Sequence, residues 1–179
     1  LAQHKHLFLG KAACFGCPIR CSQMGVIRTG TYAHQVTDIV EYESAALMGA
    51  NLGIHDVRAV AHLVKLCDTY GIDLISFATC TAFIMECYQR GQITREQMGG
   101  LDLRFGNSDA VLELLHQMSR GEGFGRLAGL GIRNLKKIFV EDFGADPQLL
   151  EDIGMEGKGL EYSEYAHKES PAPQGGFAI

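Results

Sequence analysis

Apolar residues recur at three- and four-residue steps through most of the chain, a period that predicts helices. In HDVRAVAHLVKLCDTYG the set Val57, Val60, Ala61, Val64 and Cys67 shares one face, with Asp56 as N-cap and Gly71 at the C-cap position. Upstream, TDIVEYESAALMGANLG predicts a helix capped by Thr37 or Asp38 and ending between Gly49 and Gly53. SFATCTAFIMECYQRG predicts a third, closed by Gly91 and apolar enough through its middle to be buried. TREQ has the Thr-x-x-Gln form of a capping box and opens a short turn. SDAVLELLHQMSRGEG and GRLAGLGIRNLKKIFVEDFG read as two further helices.

Two stretches break this period. GVIRTGTYAHQV, rich in Gly and β-branched residues, predicts a loop or short hairpin. GLEYSEYAHKESPAPQGGFAI alternates polar residues with Tyr before its prolines, the pattern of a strand or extended tail entering a new unit. The expected fold is mainly α: a helical domain over residues 1–143 and the start of a second, truncated domain over 144–179. The absence of an initial Met and the apolar close QGGFAI predict an interior piece of a longer polypeptide.

Composition narrows the function classes. With 46% hydrophobic residues the chain holds enough apolar material for a sizeable core. A net charge of −5 argues against nucleic acid as a partner, because phosphate backbones need clustered Lys and Arg. No run approaches the ~18 apolar residues of a membrane span, and no secretory signal pattern opens the chain. Six cysteines without such a signal fit a reducing compartment, the cytoplasm, where clustered thiols favour metal over disulfide.

The cysteines themselves raise the chemical question. ACFGCPIRC places Cys14, Cys17 and Cys21 at C-x₂-C-x₃-C spacing, and Pro18 tightens the turn. Soft thiolates on one short loop suit an iron–sulfur cluster. A Cys₃His zinc site, with His4, His6 or His34 as fourth ligand, is the rival, and plain redox or structural thiols are a third reading. Cys67, Cys80 and Cys87 lie on helical apolar faces, where small buried thiols are ordinary core residues. The fourth cluster ligand is therefore expected beyond residue 179.

Taken in order, ACFGCPIRC, EYESAALMGANLGIHD, CDTYGIDLIS, FIMECYQRGQIT and GLDLRFGNSDAVLELL closely resemble the aldehyde ferredoxin oxidoreductase family over residues 12–135. That resemblance implies tungsten enzymes with a bis-pterin cofactor and a four-iron cluster. It assigns Cys14, Cys17 and Cys21 to the cluster, with one distant Cys that has no match here. Asp68, Gly71, Ile72 and Asp73 match the family's Asp-x-x-Gly-Leu-Asp/Cys pterin pattern, with Ile in place of Leu. A fixed carboxylate is a good acceptor for pterin amino and ring N–H groups.

In EYES, Glu43 is the implied general base and Tyr42 its hydrogen-bonding partner beside the metal. The default implied reaction is oxidation of an aldehyde to a carboxylic acid, with electrons passing through the cluster to a ferredoxin-like acceptor. The family's benzoyl-coenzyme A reductase branch is the alternative, favoured by Cys80 as a tungsten ligand and by HKESPAPQGGFAI. In that branch the tungsten subunit works within a larger electron-transfer complex on an aromatic acyl-coenzyme A. Molybdenum uses the same pterin and fits the same residues. Glu113 and His116 form an E-x-x-H on one helix face; some relatives hold a metal between two subunits, which would make the protein a homo-oligomer. A non-catalytic, metal-stabilised helical module is the reading from another class.

Overall fold

The computed structural model describes residues 6–38 and 41–164. The chain opens with a three-stranded antiparallel sheet of order β1-β2-β3: β1 Phe8–Lys11, β2 Gln23–Val26 and β3 Val36–Asp38. Lys11 pairs with Gln23, so the cysteine segment is the loop of the first hairpin. The expected second hairpin is present, with Met24 opposite Asp38 and Val26 opposite Val36.

Strand pairing corrects one expectation. Thr37 and Asp38 do not cap a helix; they lie in β3, where β-branched Val36 and Thr37 suit a pleated surface. The helix begins later, as α1 Tyr42–Ala45 with Glu41 at its N-cap, and widens into a π-helical segment, Ala46–Asn51.

The sheet lies on α2, Val57–Tyr70. Thr37 donates through its hydroxyl to the Ala61 carbonyl at 3.3 Å, and Lys65 Nζ donates to the Val36 carbonyl at 2.8 Å. His62 Nδ1 lies 2.7 Å from Gln35 Oε1 while its ring stacks on Tyr32 at 4.0 Å. Asp56 caps α2 by accepting from Arg58 N, as its sequence position predicts. At the other end Gly71 adopts the left-handed conformation that closes a helix, φ 66°.

The chain reverses there and enters α3, Leu74–Gln89, capped by Asp73. This is the apolar helix of the sequence, and Phe77, Ala78, Cys80, Thr81, Phe83, Ile84, Met85 and Cys87 are all buried. The TREQ turn is a true capping box: Thr94 N donates to Gln97 Oε1 at 2.8 Å and Gln97 N to Thr94 Oγ1 at 3.3 Å. Then follow α4 Ser108–Arg120, α5 Gly123–Ala128, α6 Ile132–Glu141 and α7 Pro147–Ile153.

The run read as one helix from Gly125 onward is two. Gly131, at φ 80°, ψ 164°, breaks it, and a side chain there would come within 2.9 Å of Glu161 Oε1. The alternating Tyr-rich stretch supplies β5, Leu160–Glu161, paired with β4, Glu156–Gly157; its remainder, HKESPAPQGGFAI included, lies outside the described residues. Phe139 is fully buried at the centre of an aromatic stack with Phe83, Phe124 and Phe143, which locks α3, α5 and α6 together. The described residues thus form a mainly helical body, with the small sheet laid on α2 to carry the cysteines.

Candidate active site

The cysteine loop has the local geometry of a ligand-bearing turn. Cys17 N donates to the Cys14 carbonyl at 3.0 Å, and Gly16 between them has φ 72°, a conformation that costs a glycine nothing. Cys14 and Cys21 are exposed, Cys17 partly so, and all three are free thiols. Phe15 and Ile19 beside them are exposed as well. Among the described residues no group of three or more His, Cys, Asp or Glu side chains is gathered to hold a metal ion.

Two zinc-ligand candidates are displaced by topology. His6 precedes β1 and His34 precedes β3, so both stand at the end of the sheet away from the cysteine loop. His4 lies outside the described residues.

The Asp68–Asp73 motif is the turn between α2 and α3. Gly71 N donates to the Asp68 carbonyl at 3.3 Å and Ile72 N to the Cys67 carbonyl at 3.0 Å, satisfying the last carbonyls of α2. Asp73 accepts from Ser76 N at 2.7 Å. The reversal sends the two carboxylates to different grooves. Asp68 lines a groove of about 220 Å³ with Met24, Thr37 and Lys65. Asp73 lines one of about 470 Å³ with Ile72, Ser76, Cys80 and Glu161. Behind the turn, burial and then the two aspartates push the Cys67 thiol up to about 12, so it stays protonated in the core.

Cys80 donates its S–H to the Ala128 carbonyl at 3.3 Å. Burial, reinforced by Glu161, pushes this thiol far above the ordinary range. Serving a metal would require it to give up both that proton and that hydrogen bond. Glu113 and His116, the E-x-x-H pair, are spent elsewhere: Glu113 accepts from Gln117 at 3.1 Å, and His116 Nδ1 meets the Tyr70 hydroxyl at 3.0 Å.

Tyr42, 67% exposed, lines a cleft of about 700 Å³ with Asn51, Thr79, Phe83, Glu86 and Phe105. Glu43 is half-buried, and its Oε1 is enclosed with no hydrogen-bond donor. Among the described residues, Gln23 Oε1 is the other side-chain oxygen in that condition. Enclosed acceptors without donors are costly and rare, so two of them mark where donors from outside the described residues fit.

Topology brings these features to one end of the sheet. Gln23 opens β2 two residues after Cys21, and its neighbour Met24 pairs with Asp38 and shares the groove of Asp68. Glu41 follows Asp38 by three residues, at most about 10 Å of chain. The cysteine loop, Asp68 and Gln23 therefore converge on this end, and the start of α1 is within that length of chain from it.

A family model described as aldehyde ferredoxin oxidoreductase, domains 2 and 3, matches residues 2–179. The chain belongs to the aldehyde ferredoxin oxidoreductase family. The tungsten-containing aldehyde ferredoxin oxidoreductase of Pyrococcus horikoshii is 36% identical over 159 residues, covering 84% of this chain and 26% of that protein. An aliphatic sulfonate oxidoreductase, WOR-like subunit, of Pyrococcus furiosus is 36% identical over 138 residues, covering 73% of this chain and 22% of the relative. The chain thus spans about a quarter of the length of the curated relatives it matches.

The active-site complex of a benzoyl-coenzyme A reductase, solved with a dienoyl-CoA, shares the fold. Its TM-score is 0.67 at 17% identity, over 87% of this chain and 22% of that one. The mainly helical architecture is therefore that of the aldehyde ferredoxin oxidoreductase family. No helix among the described residues is long and apolar enough to cross a membrane.

Two residues of this end and its neighbouring groove escape a reading of sequence. Gln23 carries a faint signal in its place beside the last cysteine. Glu161 carries none: it is buried and accepts from Ile132 N at 2.9 Å at the start of α6, a partner 29 residues away.

Proposed function

We propose that this chain is the cluster- and pterin-bearing part of a cytoplasmic tungsten or molybdenum oxidoreductase that converts aldehydes to carboxylic acids. The observation that carries the reading is the convergence of the cysteine loop, Asp68 and the enclosed, donorless oxygen of Gln23 at one end of the sheet, with the enclosed oxygen of Glu43 a short stretch of chain beyond it. These residues fit the expected groups. Three soft thiols on one exposed turn suit a four-iron cluster, whose binding would gather them, since metal binding is coupled to the folding of its site. Gln23 Oε1, an enclosed acceptor without a donor, suits the N–H-rich edge of a pterin.

A pterin-held metal, when bound, would supply two-electron redox chemistry, and a cluster held by Cys14, Cys17 and Cys21 would supply one-electron transfer toward a ferredoxin-like carrier. What the chain contributes is placement and proton handling. Asp68 and Asp73, which the Gly71 turn directs into separate grooves, would hold different parts of the cofactor; Glu43 takes a proton at Oε1; Tyr42 orients substrate from the wall of the cleft.

The cleft bears on the substrate. Among the described residues that line it there is no Lys, Arg or His, and Glu86 and Glu164 are its charged groups, Glu86 being paired with Arg90 at 2.7 Å. Such walls suit a neutral aldehyde. The benzoyl-coenzyme A reductase reading draws on the shared fold and on Cys80, as a metal ligand, in the groove of Asp73. Anaerobically purified full-length protein should reduce a viologen dye with aliphatic or aromatic aldehydes and leave an aromatic acyl-coenzyme A untouched under a low-potential donor. Ring reduction without aldehyde turnover would transfer the assignment to the second reading. Neither activity, with zinc as the bound metal, would leave only a structural module.

A further inference from the structure

At the N-terminal end of α2 lies a cavity of about 680 Å³, lined among others by Arg28, Arg58, His6, His55, Thr29 and Asp56. Two guanidinium groups face one carboxylate in it, and two imidazoles and a hydroxyl complete its polar wall. That is a local reversal of charge in a chain of net −5.

Both arginines are held in place. Arg28 donates through Nη1 to the His6 carbonyl at 2.6 Å and through Nη2 to the Phe8 carbonyl at 3.1 Å. Arg58 grips Asp56 through Nε at 2.9 Å and Nη2 at 3.1 Å. A guanidinium has five N–H groups, so each arginine keeps donors in reserve after these bonds. Gly30 keeps Arg58 Nη1 clear: a side chain there would close to within 3.1 Å of it.

Pre-positioned arginine forks beside imidazoles and a hydroxyl are the donor set that recognises phosphate oxygens. The cavity is not part of the candidate redox site. Asp68 stands near the opposite end of α2, a helix of 14 residues and about 21 Å.

We propose that this cavity binds a phosphate group, either free or carried on a larger ligand. The reading is independent of the redox assignment, because it uses none of the same residues.

The test is calorimetric titration of the full-length protein with inorganic phosphate, pyrophosphate and adenosine 3′,5′-bisphosphate, at low and high salt. Saturable binding that weakens with salt is expected, with a loss of about tenfold or more in each of Arg28→Gln and Arg58→Gln. Equal affinity for the three would identify free phosphate as the natural occupant; preference for the bisphosphate would identify a nucleotide-bearing ligand. Arg28 also ties down backbone carbonyls, so Arg58→Gln, which leaves the Asp56 cap intact, serves as the second variant, with thermal melting to confirm that both fold. No saturable binding to the unmodified protein, or undiminished binding in the folded variants, would overturn the proposal.

Discussion

Cys17→Ser is expected to abolish the visible iron–sulfur absorption of the anaerobically purified protein and to remove most of its iron. Serine keeps the size of the side chain and replaces a soft sulfur donor with a hard hydroxyl of far higher pKa. Cys17 is the middle cysteine of the loop, tied to Cys14 by the turn between them, so its loss leaves two thiols on opposite flanks. Cys87→Ser is the control. Cys87 is fully buried in α3, where burial pushes its thiol up to about 12, and its replacement should lower stability while leaving iron in place. Unaltered spectra in Cys17→Ser would remove this loop from the cluster.

Glu43→Gln should lower aldehyde turnover by about 10²–10⁴-fold, the usual worth of a positioned general base, with metal and iron contents unchanged. The amide matches the carboxylate in shape but cannot take a proton. The enclosure of Oε1 without a donor is what singles out Glu43 from the exposed Glu41 one turn edge away. A variant that retains full activity would show that Glu43 is a structural residue, and one that loses its metal would make it a cofactor anchor instead.

Local chemistry explains which parts of this fold were legible in the sequence. The caps at Asp56 and Gly71 and the Thr94–Gln97 box are agreements between residues a few positions apart, and each forms as its spacing predicts. The apolar run of α3 predicted its own burial. Thr37 was misread because its strand depends on a partner across a hairpin, which no helical cap pattern records. The break at Gly131 had a signal in the glycines around it, but its cause, the Glu161 carboxylate, arrives from 30 residues downstream.

The site divides in the same way. The residue types and their order carried the family resemblance, and the comparisons establish the family. The family resemblance joined Asp68 and Asp73 in one motif, whereas the left-handed turn at Gly71 directs them into separate grooves. Convergence of the cysteine loop and Gln23 with the end of β3 is a property of strand order, visible only once β1, β2 and β3 are paired.

The central claim is that this chain carries a pterin-bound metal and an iron–sulfur cluster together. Elemental analysis of the full-length protein, purified without oxygen from its own source, tests it most directly. The account predicts tungsten or molybdenum with several irons per polypeptide; zinc alone, or no metal, would contradict it.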